Sequence, residues 1–225
     1  GRLPTFEEWS YAAYTQIFDS DKFIKETSET AAAKDITLTY VSNGTLLTEK
    51  TFDQLIKFKE VIIRLSLDAI QTPGEYFRFP IKWDSFVKKL ELMEYYAKDN
   101  THLDIGVQWT CSNISMFYLV DTYDYMRKHF PNIKFIFANH VEWPIHKSAQ
   151  VLPNEVKKLA TQRINNYDFG SDKESIPFYL NHMLEKDEWS THGKTFMNYL
   201  NDLDKTIIYG DGNAAEKIIS IIKSI

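Results

Sequence analysis

A single cysteine, Cys111, stands in a chain of 225 residues. That scarcity excludes an internal disulfide and any all-cysteine metal site built within one chain. No apolar run approaches the ~20 residues that span a bilayer, and the opening residues carry no signal-peptide pattern. Positive charge is in deficit: 26 Lys and Arg face 31 Asp and Glu, a net charge of −5. The deficit argues against a general nucleic-acid binder. Internal repeats, long linkers and low-complexity segments are also missing. These absences predict a soluble, cytoplasmic protein with neither membrane nor nucleic acid among its partners. Sequons at Asn43 and Asn113 do not change that expectation, because such triplets arise often by chance.

Aromatic residues are plentiful, at 15%, so large side chains for a core are in good supply. "TFEEWSYAAYTQIF" predicts a helix over 6–18, with Thr5 and Glu8 spaced as a capping box. "SETAAAKD" suits a short helix. Residues 36–41 alternate as a strand, "TEKTFDQLIKF" steps as a helix, and "VIIRLSL" (61–67) reads as a strand buried on both faces. "WDSFVKKLELMEYYAK" is strongly amphipathic, with Trp83, Phe86, Val87 and Leu90 at helical spacing. "LDIGVQWT" predicts a third strand, "MFYLVDTYDYMRKHF" a helix and "IKFIFA" a fourth strand. The order strand–helix–strand–helix–strand–helix–strand implies parallel pairing with right-handed crossovers, an α/β sheet or part of a (β/α) barrel. Beyond residue 150 the pattern turns helical, in "LPNEVKKLATQRI", "IPFYLNHMLE", "GKTFMNYLNDLD" and "AAEKIISIIKSI". The domain reading is therefore a partial β/α barrel over 1–150 and a helical extension over 151–225.

Parallel α/β folds bind ligands at the carboxyl ends of their strands. Here those ends are polar. The first closes in Ser42-Asn43-Gly44 and the second in Ser66-Leu67-Asp68. The third carries Gln108 and Thr110 on one face, followed by Ser112 and Asn113, and the fourth ends in Asn139-His140. Each cluster alone is as well explained by a turn or a helix cap. Four at equivalent ends point to a site. Arg64 lies two residues before Ser66 in an apolar strand, so the two share a side. It implies either an ion pair with an interior carboxylate or a clamp for a ligand carboxylate or phosphate. His140, Glu142 and His146 fall close together in "NHVEWPIH", but their spacing matches no standard metal site. Asp168-Phe169-Gly170 spells a kinase triplet without the other kinase elements, and "YGDGN" (209–213) reads as a turn and helix cap.

The blocks "KDITLTYVSNGTLL", "VIIRLSLDA", "EYFRFPIKWDSFVKKLELM" and "SAQVLPNEVKKLA" together resemble the twitch domain-containing radical S-adenosylmethionine (SAM) proteins. The resemblance covers roughly residues 34–160. It implies a partial parallel (β/α) barrel of the radical SAM type, binding SAM and a [4Fe-4S] cluster. Ser42, Asn43 and Gly44 match the family's "TNG" block, with Ser for Thr. Ser66 and Asp68 match the "SxD" block that faces the SAM ribose, with Ala69 in place of Gly. Arg78, Pro80 and Trp83 match "RxPxxW". The implied cofactor-binding set is Ser42, Asn43, Gly44, Ser66, Asp68, Gln108 and Asn139, with Arg64, Thr110, Asn113 and His140 lining a substrate pocket.

The family's CxxxCxxC loop has no counterpart here, and "GRLPT" matches its "GGEP" block only at Gly1 and Pro4. The resemblance therefore implies the C-terminal portion of a radical SAM-like enzyme, a fragment or a diverged or split version. It would bind SAM and a small-molecule or peptide substrate at the strand ends. It would hold no cluster of its own, because several thiolates are needed, and would rely on a missing N-terminal segment or a partner chain for it. The alternative is a non-catalytic nucleotide- or partner-binding α/β module derived from such a barrel. The substrate is not readable from the sequence.

Overall fold

A computed structural model describes residues 20–45, 47–78, 80–174, 176, 180–181 and 184–205. The helices expected at 6–18 and in "AAEKIISIIKSI", and the turn at 209–213, lie outside the described residues, as does half of "IPFYLNHMLE". The described chain is an α/β structure. It opens with α1 (Ser20–Ser28), which the sequence does not predict, and a 3-10 turn over Ala31–Asp35 where "SETAAAKD" predicts a short helix. Then come β1 (Thr37–Ser42), α2 (Glu49–Leu55), β2 (Glu60–Ser66), α3 (Gln71–Phe77) and α4 (Trp83–Asp99). β3 (Leu103–Cys111), α5 (Leu119–His129) and β4 (Lys134–His140) complete the sheet. α6 (Asn154–Asn165) and α7 (Trp189–Lys205) make up the C-terminal part. Local chemistry explains several boundaries. Thr48 and Thr51 cap α2 reciprocally, and Pro131 comes soon after the end of α5. α3 has no signature in the sequence: seven residues containing Pro73 and Gly74 leave no helical stripe to read.

The four strands pair in parallel in the order β1-β2-β3-β4. Each crossover is helical, as the sequence predicts. The two faces of the sheet differ sharply. On one face Val61, Ile63, Leu65 and Val107 are fully buried, and Ile105, Trp109 and Cys111 nearly so. Phe52, Leu55, Phe86, Leu90 and Met93 of α2 and α4 are buried in the same core. "VIIRLSL" is thus buried on one face and not, as expected, on both. The reason is parity: alternate residues of a strand point to opposite sides. Ile62, Arg64 and Ser66 are half-buried on the second face, beside the exposed Thr39 and Val41 of β1. Val41 is 59% exposed. No described helix covers this second face to the same degree.

The second face is held by charge. Arg64 Nη1 donates to Asp104 Oδ1 at 2.9 Å and to the Asp104 carbonyl at 2.7 Å. Lys134 Nζ donates to the other oxygen, Oδ2, at 2.9 Å. The carboxylate therefore ties β2, β3 and β4 together. This is the ion pair that the position of Arg64 allows for, half-buried on the second face and not interior. Gly106 sits between these strands, where a Cβ would lie 2.7 Å from Ile136 Cδ1.

The C-terminal helices share the core of the sheet: Val156, Ala160 and Ile164 of α6 and Phe196 of α7 are buried in one cluster with the strands. Lys157, in the "LPNEVKK" block, is 4% exposed and donates to the Lys186 carbonyl at 2.7 Å. Burial lowers its pKa, and Asp187 and Glu188 oppose that fall.

Phe52 is fully buried and its ring stacks on Tyr96 at 4.6 Å. Phe52→Ala is expected to cost about 3–5 kcal/mol, the range for truncating a buried aromatic. Urea unfolding of the two proteins measures it, and a loss under about 1 kcal/mol would mean that α2 is not a core element.

Asp104 supplies a pH signature. Burial acts to raise its pKa, but the hydrogen bonds and charges of Arg64 and Lys134 outweigh burial and hold it below the ordinary value of 3.8. A depressed carboxylate contributes stability above its unfolded pKa and loses it as pH falls through the folded one. Asp104→Asn should therefore lower stability at neutral pH and weaken the loss of stability below about pH 4, in denaturant melts run from pH 7 to pH 2. A variant with an unchanged acid limb would show that the carboxylate does not bridge the strands.

Candidate functional site

The carboxyl ends of β1, β2 and β3 lie side by side, with Ser42 in register with Leu65 and Ser66 with Gln108. The chain after β1 turns at once. Ser42 Oγ accepts from the Gly44 amide at 3.0 Å, and Asn43 Oδ1 accepts from the Thr45 amide at 3.1 Å and its hydroxyl at 2.8 Å. The polar cluster is thus a pair of local side-chain turns, placed at the rim where a site belongs. Gly44 has φ +79°, and a Cβ there would lie 2.5 Å from Leu65 Cδ1. Only glycine combines that backbone with that approach.

After β2 the chain is pinned by Trp109, whose Nε1 donates to the Asp68 carbonyl at 2.9 Å. The Asp68 carboxylate meets Arg78 Nε at 2.6 Å, with side chains 14% and 29% exposed. The two groups touch as an ion pair, but the Nε–H is not aligned with an acceptor. Burial pushes the Asp68 carboxyl above its usual range, and Arg78 pulls it back only in part. Asp68 is therefore directed to the guanidinium at the end of α3. The side chains of Ser66, Gln108 and Thr110 occupy alternate positions of the open face, each half-buried.

The fourth end differs from the others. One extra residue in β4 shifts the register between Trp109 and Thr110, so that Trp109 pairs with Phe137 but Thr110 with Asn139 and Cys111 with His140. A bulge of this kind re-aims the side chains beyond it. His140 Nε2 lies 3.1 Å from Glu142 Oε1. Asn113 is 2% exposed and is committed to structure: its Nδ2 donates to the His146 carbonyl at 2.6 Å and its amide to the Lys147 carbonyl at 2.9 Å. His146 packs on Tyr199 at 4.7 Å. Among the described residues, no cluster of three His, Cys, Asp or Glu side chains has the arrangement of a metal site. Cys111 is 1% exposed, and burial raises its thiol pKa. A buried thiol of that kind behaves as a small core residue.

A cleft of about 530 Å³ opens beside the β1 turn. Asn43, Gly44 and Thr45 form one wall, and the α3–α4 connection with Arg78, Pro80, Ile81 and Lys82 forms another. Ser85, Phe86 and Lys89 of α4 close it. Arg78 and Pro80 belong to the "RxPxxW" block, but neither Lys82 nor Lys89 stands out in the sequence. Lys89 falls within the amphipathic helix and Lys82 just before it, and nothing in the pattern brings either to the β1 turn. Glu75 shapes this wall. It accepts from the Trp83 amide at 2.8 Å and from Lys82 Nζ at 3.1 Å, contacts that hold its carboxyl below the usual range.

No protein family, curated protein or solved structure matches this chain.

Gly44→Ala tests the β1 turn. Strain at positive φ and the contact with Leu65 are together expected to cost about 1–3 kcal/mol in chemical denaturation. A neutral substitution would mean that the turn adopts another backbone path.

Proposed function

We propose that this chain is the C-terminal part of a radical SAM-like enzyme, and that it binds the adenosine portion of SAM, with substrate nearby, on the open face at the carboxyl ends of β1–β3. One observation carries the reading. Ser66, Gln108 and Thr110 project from adjacent strands onto the face that the described helices leave open. Hydroxyl and amide groups at that place suit ribose hydroxyls and ring nitrogens. The sequential parallel order of the strands and the ordered set of resembling blocks support the same assignment.

When bound, the family's iron–sulfur cluster supplies the electron for reductive cleavage of SAM. The residues of this chain do not fit that cluster. It needs several thiolates, and the one cysteine is a core residue with a raised pKa. The role left to this chain is to bind and orient. Asp104 holds Arg64 and Lys134 within the strands, so these cations act as a fixed floor under the rim. Asp68 acts through Arg78.

Without a cluster to chelate the amino-acid end of SAM, affinity rests on the nucleoside. Titration calorimetry should give a dissociation constant of roughly 0.1 mM or weaker for SAM. Adenosine and S-adenosylhomocysteine should bind about as well, and Ser66→Ala with Gln108→Ala should weaken all three. Micromolar SAM binding with strong discrimination against adenosine would overturn the nucleoside-directed reading. Adenosine binding untouched by the two substitutions would place the ligand elsewhere. Anaerobic reconstitution with iron and sulfide should leave the chain without a stoichiometric cluster.

A further inference from the structure

The cleft beside the β1 turn is separate from the open face. It abuts α4, whose Phe86 is 4% exposed and belongs to the core under the opposite face of the sheet. Its charge is one-sided. Arg78, Lys82 and Lys89 line it, and among the described residues no Asp or Glu does. Two carboxylates stand behind this lining, Asp68 against Arg78 and Glu75 against Lys82. They hold the cations in place and offset two of the three charges. Lys89 is held differently: its Nζ donates to the Leu47 carbonyl at 2.6 Å, an uncharged acceptor. That contact fixes the ammonium at the mouth of the β1 turn, uses one of its three donors and leaves its charge in excess.

We propose that this cleft is a binding site for a small molecule carrying a phosphate monoester on an apolar body. An ammonium with donors to spare, in a cleft that a guanidinium also lines, matches a doubly charged group with three acceptor oxygens. A single carboxylate would need only one of these partners. Phe77, Ile81 and Phe86 give the same cleft an apolar floor, which an inorganic ion would leave uncovered. A volume of about 530 Å³ lies inside the range of small-molecule sites, about 300–1,000 Å³. Ser85 adds a hydroxyl at the rim. The inference does not rest on SAM binding at the open face, because the two sites share no strand-face residue.

The probe is phenyl phosphate, with inorganic phosphate and acetate as comparisons, monitored by amide shifts in nitrogen-15 NMR and by calorimetry. Phenyl phosphate should shift the amides of Asn43, Gly44 and Thr45 and bind more tightly than inorganic phosphate. Acetate should bind least. Binding should weaken from pH 7.5 to pH 5.5, as the phosphate group takes up its second proton near pH 6. Lys82 is 73% exposed at its side chain, so Lys82→Gln tests charge without touching the core. Together with Lys89→Gln it should weaken phenyl phosphate about tenfold or more. Adenosine binding should be unchanged in Lys82→Gln, which separates this site from the open face. The absence of shifts at Asn43–Thr45 with about 20 mM phenyl phosphate would overturn the proposal. So would acetate binding as well as phosphate, or affinity unaffected by both lysine substitutions.

Discussion

The architecture depends on burying one side of four parallel strands. Val61, Ile63 and Leu65 of β2 have no exposed surface, and Val107 of β3 has none. With a side-chain period of two, a slip of one residue would carry this row to the open side and bring Arg64 and Ser66 into the core. Each fully buried aliphatic side chain is worth about 1.5–3 kcal/mol, and burying Arg64 without Asp104 would cost further. The register is therefore strongly determined, and with it the positions of every strand end. The rim is a consequence of that burial.

Charge then sets what the rest of the molecule can do. A chain with net charge −5 nevertheless places five of its 26 Lys and Arg in two organised groups. Arg64 and Lys134 share Asp104 across the open face. Arg78 and Lys82 lean on Asp68 and Glu75 beside the β1 turn, with Lys89 anchored to a backbone carbonyl. Each group carries one positive charge in excess, two cations against one carboxylate in the first and three against two in the second. The difference is in how the cations are held. In the first, both cations bond the same carboxylate within the sheet, whereas in the second, Lys89 lines a cleft with only a carbonyl as its acceptor.

Polar residues at strand ends serve structure at some positions, and recognition at others only in the function proposed above. Ser42 and Asn43 spend their acceptors on the turn immediately after β1. Ser112 and Ser115 bond each other and the Thr110 carbonyl, closing the end of β3. Asn113 ties down the 146–147 backbone. Ser66, Gln108 and Thr110 stay on the open face in step with one another. Turn chemistry at the other positions is what holds these three at a fixed rim.

Much of this was determined by the sequence alone. Alternation and β-branched runs marked all four strands, and the intervening amphipathic stretches implied parallel pairing, because helical crossovers return the chain in the same direction. Arg64 in an apolar strand pointed either to a carboxylate partner within the chain or to a clamp for a ligand anion, since an isolated charge there is too costly. What only the tertiary structure decided is what depends on residues distant in the chain. That Asp104 is the partner comes from the β2–β3 register, not from any local signal. The extra residue in β4 appears only when β4 is laid beside β3. Lys82, just before α4, and Lys89 within it carry no local signal until the β1 turn is packed against α4. Periodicity reports which side of an element is apolar. It carries no information about which polar groups of two elements will meet, because that is set by how their apolar sides dock.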